Sequence, residues 1–237
     1  MTPRLVFFDV DGTLIPGHTW DGILAYPGIS RRKVIWLRLS TLPIRILRRL
    51  YLLGQARFYQ ISMQRLASLM KKWTQVELDE MFGWVAGTYL QESYRPDVLK
   101  ILNEYKDQGI QVVLVSVLFE GGVRKICEYL NVDGAIGTRL EIVNGKVTGK
   151  LLGDACIGPR KLNFLRQYLA AQGISLQDCA AYADSYYDDA PMLAIVGMPV
   201  AVYPDENLHL TAIEQQWAIY PEPWETRGTK KQGAEAP

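Results

Sequence analysis

The stretch "FFDVDGTL" (7–14) sets two carboxylates, Asp9 and Asp11, directly after an apolar run and directly before a glycine. Other residues able to do chemistry lie far off in the chain. Ser116 closes "IQVVLVS", Lys161 stands in "GPRKLNFL", and Asp184 closes "CAAYAD" with Asp188 and Asp189 just beyond it. Converging carboxylates with few other charges require a cation, and an all-oxygen donor set suits Mg²⁺. A carboxylate can also attack phosphorus to give an aspartyl-phosphate. In that chemistry Ser116 and Lys161 would hold phosphoryl oxygens, the lysine near a helix N-terminus where anions are favoured.

The elements that must position these residues are legible as an alternation. "RLVFFDV" (4–10) is a short run of β-formers, consistent with a central parallel strand. From Pro96 a helix is expected up to Gly109, then a buried strand over 110–116 and a helix over 123–130. "LEIVNGKVTGKL" (140–151) reads as a hairpin on an Asn-Gly turn. A helix over 160–171, a strand over 179–184, a short helix over 189–196 and a strand over 199–203 follow. Strands alternating with helices specify an α/β fold: a Rossmann-like parallel sheet with helices on both faces. In such sheets sites form outside the carboxyl ends of the strands, where Asp9, Ser116 and Asp184 all fall.

The expected organisation is a core of residues 1–15 and 92–224, a helical insertion over 16–91 after the first strand, and a disordered polar tail over 225–237. The insertion carries a charge asymmetry. No Asp or Glu occurs from Gly22 to Val76, although 11 of the 26 Lys and Arg lie there. Within it "LPIRILRRLYLL" (42–53) puts Arg45, Arg48 and Arg49 on one helical face and Ile46, Leu47, Leu50 and Leu53 on the other. Two readings follow: a cap helix with a solvated basic face, or an interfacial helix lying on anionic lipid.

In order along the chain, "DVDGT" (9–13), Ser116, Lys161 and "ADSYYDDAPML" (183–193) resemble the four motifs of the haloacid dehalogenase-like hydrolases. "VNGKVTGKL" and "VGMPVAVYPDENL" resemble the phosphoserine phosphatase-like branch (subfamily IB), whose helical cap also follows the first strand. The resemblance implies a phosphoric monoester hydrolase acting on a small phosphorylated substrate with Mg²⁺. Asp9 would be nucleophile and metal ligand. Asp11 would move the proton and offer its backbone carbonyl to the metal. Gly12, Thr13, Ser116 and Lys161 would bind phosphate, and Asp184 with either Asp188 or Asp189 would complete the metal site. Spacing does not choose between those two, because one extra residue separates Asp184 from "PML".

The same resemblance puts Arg65 where a cap arginine holds a substrate carboxylate, but His18 stands where an acid would take the substrate amine. A phosphoserine-like and a lipid-derived phosphomonoester therefore both remain open. Ala183 replaces the usual glycine before the metal aspartate, and Val117 the small residue after Ser116. A phosphotransferase of the same family and a membrane-surface module with a vestigial site are the alternatives. Three scattered cysteines, Cys127, Cys156 and Cys179, fit a reducing cytoplasm, with peripheral membrane contact through the basic cap as an option. No basic-then-apolar leader is seen, and the longest uncharged run, 190–204, is too short and proline-broken to span a bilayer. No nucleic-acid partner is expected.

Overall fold

The structure is a computed structural model and describes residues 2–170 and 172–222. The tail expected over 225–237 lies outside these residues. Strand β1 (Leu5–Asp9) is apolar up to its last residue and buried throughout. It sits in the middle of a six-stranded sheet with β2 (Gln111–Phe119), β3 (Gly134–Thr138), β6 (Cys179–Ala183), β7 (Met198–Val202) and β8 (Ala218–Tyr220). The order is β3-β2-β1-β6-β7-β8, and every neighbouring pair is parallel. The chain leaves β1 towards β2 on one side and returns to β6 on the other. The crevice between β1 and β6 is thus the topological switch point, where open α/β sheets form their sites.

Alternation along the strands divides the core in two. Val6 and Phe8 face one side of the sheet, with α5 (Pro96–Asp107) and α6 (Glu120–Leu130). Leu5 and Phe7 face the other, with α7 (Lys161–Ala170), α8 (Tyr186–Leu193) and α9 (Glu206–Glu214). Between β1 and α5 the chain builds α1 (Thr19–Ala25), α2 (Arg31–Arg49), α3 (Gln55–Leu69), α4 (Gln75–Trp84) and a π-helical turn, Val85–Tyr89. Thr74 starts α4 with a capping box: its hydroxyl accepts from the Glu77 amide while the Glu77 carboxylate reaches back to it. Leu37, Met63, Leu66 and Phe82 from this helical segment join the same hydrophobic cluster as Val6 and Phe8. The inserted helices therefore share a core with one face of the sheet.

The expected hairpin forms as β4 (Leu140–Val143) and β5 (Lys146–Leu151), turning through Asn144 and Gly145, both at positive φ. It packs on the inserted helices: the Gln64 side chain of α3 donates to the Gly149 carbonyl and accepts from the Leu151 amide. Several boundaries differ from expectation. β2 runs on to Phe119, so Ser116 lies inside the strand, where its pairing with β3 shifts register. The short helix before β7 starts earlier, at Tyr186, with Ser185 as its N-cap. Neither Asp188 nor Asp189 is the cap; both occupy the first turn. No described helix is long and apolar enough to cross a membrane.

Candidate active site

Each chemical residue reaches the crevice by a separate element. Asp9 is the last residue of β1 and Asp184 is the first residue after β6, the strand beside it. Gly12 takes a φ of 95°, which a glycine adopts without strain, and its amide donates to the Ile15 carbonyl at 2.7 Å. That tight turn swings the chain out of the sheet and aims Asp11 back at the crevice. A short 3₁₀ turn, Gly158–Arg160, feeds α7, so Lys161 is the first residue of that helix. Asp189 arrives from the first turn of α8.

These groups meet in a dense buried cluster. The Lys161 Nζ donates to Asp9 Oδ1 at 2.7 Å and also to Asp189 Oδ1. Oxygens of Asp9, Asp184 and Asp189 lie within 4.8 Å of one another. All four side chains are buried. Burial works against the Lys161 ammonium, but Asp189 and Asp9 outweigh it and hold its pKa well above the ordinary lysine value. Burial, with Asp189 adding to it, pushes the Asp9 carboxyl well above the usual carboxylate range, against the pull of Lys161.

One ammonium among three buried carboxyl groups leaves an excess of acid out of water, which a divalent cation would offset. The donor set is all oxygen, which suits a hard ion such as Mg²⁺. The residues therefore fit the metal expected from their motif. Between the two open candidates, the geometry groups Asp189 with Asp9 and Asp184. Asp188 turns the other way: its Oδ1 accepts from the Gln55 amide of α3 at 3.2 Å.

Asp11 stands apart from this cluster. Its Oδ1 accepts from the Thr19 amide at 2.6 Å and its Oδ2 from the Thr19 hydroxyl at 3.1 Å. Ser116 Oγ is 3.5 Å from the same Oδ2, and the Leu118 amide donates to that Oγ at 3.0 Å. Burial raises the Asp11 pKa, opposed by the hydrogen bonds from Thr19. Thr13, expected to face a phosphate, is fully buried, and its hydroxyl donates to Asp184 Oδ1 at 3.0 Å. It positions the aspartate.

An open cleft of about 290 Å³ lies over the cluster, walled by Asp11, Val117 and Tyr187 from the sheet side and by His18, Trp20, Arg48, Gln55 and Tyr59 from the inserted helices. Arg48 donates to Gln55 Oε1 at 2.6 Å, so Arg48, Gln55 and Asp188 form a chain from the inserted helices to α8. Arg65 is half-buried on α3 with a buried Nη1, and it is not among the residues that wall this cleft. The roles of Thr19, Gln55 and Tyr59 escape sequence reading because they arise only when the inserted helices fold back over the strand ends.

The model of the haloacid dehalogenase-like hydrolases matches residues 6–194, from the first strand through α8. The chain belongs to this family. A phosphoserine phosphatase of Mycobacterium tuberculosis is 29% identical over 219 residues, covering 90% of this chain and 69% of its own. A histidinol-phosphatase of Neisseria meningitidis is 27% identical over 156 residues, covering 63% of this chain and 69% of its own. The fold is similar to that of a solved protein of unknown function from Bordetella pertussis, with a TM-score of 0.75 at 23% identity over 92% of this chain and 98% of that one. A substrate-bound phosphoserine phosphatase superposes with a TM-score of 0.58 at 22% identity, over 92% of this chain and 99% of that one. The phosphatase names of these relatives agree with the phosphoric monoester hydrolase expected from the four motifs.

Proposed function

We propose that this protein is a Mg²⁺-dependent phosphomonoesterase that works through an aspartyl-phosphate on Asp9. The observation that carries this reading is the division of the carboxylates. Asp9, Asp184 and Asp189 share one buried cluster with Lys161, while Asp11 is held separately by Thr19. A nucleophile and a proton carrier need different surroundings, and here two aspartates two residues apart have them.

An Asp9 oxygen attacks phosphorus as the bond to the ester oxygen breaks, and the Asp11 carboxyl gives its proton to that leaving oxygen. Asp11, now a carboxylate, takes a proton from water as the water oxygen attacks the phosphoryl group, which frees phosphate and restores Asp9. Lys161 and Ser116 hold the non-bridging oxygens and offset their growing charge. When bound by Asp9, Asp184 and Asp189, the divalent ion supplies positive charge against the phosphoryl oxygens. Gly12 and Thr13 shape the turn and orient Asp184. In this reading residues 16–91 are a cap over a core of 1–15 and 92–224, and the protein works in the cytoplasm.

Asp9→Asn keeps the shape of the side chain and removes the attacking carboxylate. It is expected to abolish turnover of a generic aryl phosphate with Mg²⁺ present while the melting transition persists; undiminished turnover would overturn the mechanism. On the cap side we assign the substrate-facing cation to Arg48, which walls the cleft, in place of Arg65.

A contact with anionic membrane is the second reading, and one surface favours it. On α2 and its C-cap, Ile35, Leu39, Leu42, Ile46 and the capping Leu50 follow one another at three- and four-residue spacing and are all more than half exposed. Leu37, Thr41 and Ile44, on the opposite side, are buried. The helix is thus apolar on two sides, amid a segment with 11 cations and no acid between Gly22 and Val76. Two copies of so cationic a face repel, whereas anionic lipid complements it.

A further inference from the structure

Behind the cleft lies a second and larger cavity, of about 410 Å³, inside the inserted helices. Its deep wall is apolar: Leu24 from α1, Leu37 from α2, and Phe58, Met63 and Leu66 from α3. The charged residues that border it, Asp21, Arg38 and Arg45, are all exposed and stand at its outer mouth. Trp20 and Tyr59 wall both this cavity and the cleft over Asp9. Their rings lie 6.3 Å apart, with His18 stacked on Trp20 at 4.0 Å. A second link runs through Arg48, which walls the cleft and places its guanidinium 4.9 Å over the Phe58 ring.

The lining selects what can enter. A sugar or nucleoside leaving group would need several hydrogen-bond partners in the interior. Three hydroxyls line it, from Thr41, Tyr59 and Ser62; Thr41 already donates its own to the Leu37 carbonyl at 2.9 Å and Tyr59 is hydrogen-bonded to Asp188. An aliphatic chain needs no such partners and gains from leaving water. The volume falls within the range of small-molecule sites.

We propose that this chamber is the leaving-group subsite, and that the enzyme takes phosphomonoesters whose alcohol carries an apolar chain. The phosphoryl group sits over Asp9 while the chain runs across the shared wall of Trp20 and Tyr59, whose rings are packed against each other, and into the chamber beyond. This rests on the phosphatase reading above and names the substrate class of that same site.

The test uses linear alkylphosphonates from ethyl to octyl, which cannot be hydrolysed, titrated by calorimetry into the whole protein with Mg²⁺ present. Each added methylene is expected to tighten binding about three- to fourfold until the chamber is full. Ser62→Trp, which fills the chamber from α3, is expected to flatten that dependence. Equal affinity for ethyl and octyl phosphonate in the unaltered protein would overturn the proposal, and so would a slope unchanged in S62W. The unaltered series decides alone if S62W does not fold. Failure of the phosphatase reading shows elsewhere, as absent turnover of every phosphomonoester with Mg²⁺, and leaves the phosphonate series readable.

Discussion

At the scale of single residues, the site separates two aspartates that the chain places side by side. Asp9 shares Lys161 with Asp189, whereas Asp11 is held by both polar groups of Thr19. General acid catalysis contributes about 10²–10⁴-fold, so Asp11→Asn is expected to lower kcat by that factor with little change in KM. Thr19→Val removes one hydrogen bond to a carboxylate, a contact worth about 1.5–3 kcal/mol, and is expected to lower kcat about tenfold or more in the same steady-state assay. Asp188 and Asp189 can be told apart by metal-linked stability. Mg²⁺ at about 100 times its Kd stabilises a folded protein by about 2.7 kcal/mol, so it is expected to raise the melting temperature of the unaltered chain and of Asp188→Asn. The same addition is expected to leave Asp189→Asn unmoved, read by calorimetry or dye-monitored melting.

At the scale of elements, the precision of the site depends on where strands bend and stop. Gly137 of β3 lies against the irregular stretch of β2 that carries Ser116; a Cβ there would come within 2.6 Å of the Leu118 carbonyl oxygen and 2.9 Å of the Glu120 backbone. Those atoms belong to a strand and to the start of α6 and cannot give way cheaply. Gly137→Ala is expected to cost about 1–3 kcal/mol in a denaturant titration and to depress kcat as well, because the Leu118 amide that holds Ser116 Oγ must move. Sequence reading found Asp9, Ser116 and Asp184 because long buried strands announce themselves by unbroken apolar runs, and a polar residue closing or interrupting such a run stands out. It left Asp188 and Asp189 undecided because that choice depends on the phase of α8. Starting the helix at Tyr186 turns Asp189 towards Lys161 and its neighbour towards Gln55. It missed α9 and the three-residue β8, whose pattern is too short or too mixed to stand out from a loop. Thr13 was legible as part of a motif, but its partner, 171 residues away, was not.

At the scale of the whole molecule, the inserted helices combine exposed apolar residues with cations that no acid in the same stretch offsets. α2 and its C-cap present Ile35, Leu39, Leu42, Ile46 and Leu50 to solvent within the acid-free segment. If this face meets anionic lipid, the protein is expected to float with vesicles containing phosphatidylserine at low salt and to stay behind with neutral vesicles. Binding should weaken as the Debye length shrinks from about 30 Å at 0.01 M salt to about 10 Å at 0.1 M. Leu39→Glu together with Ile46→Glu should abolish flotation while sparing hydrolysis of a soluble aryl phosphate. Absence of flotation at every salt concentration, with dimers in sedimentation, would assign the face to a second copy instead.

Thr19 is at once the first residue of α1 and the partner of both carboxylate oxygens of Asp11. Any swing of that helix away from the sheet frees the proton carrier in the same movement. Were the proposed cap to open at α1, Asp11 would lose both contacts at once, so the proposed proton transfer would be confined to the closed arrangement.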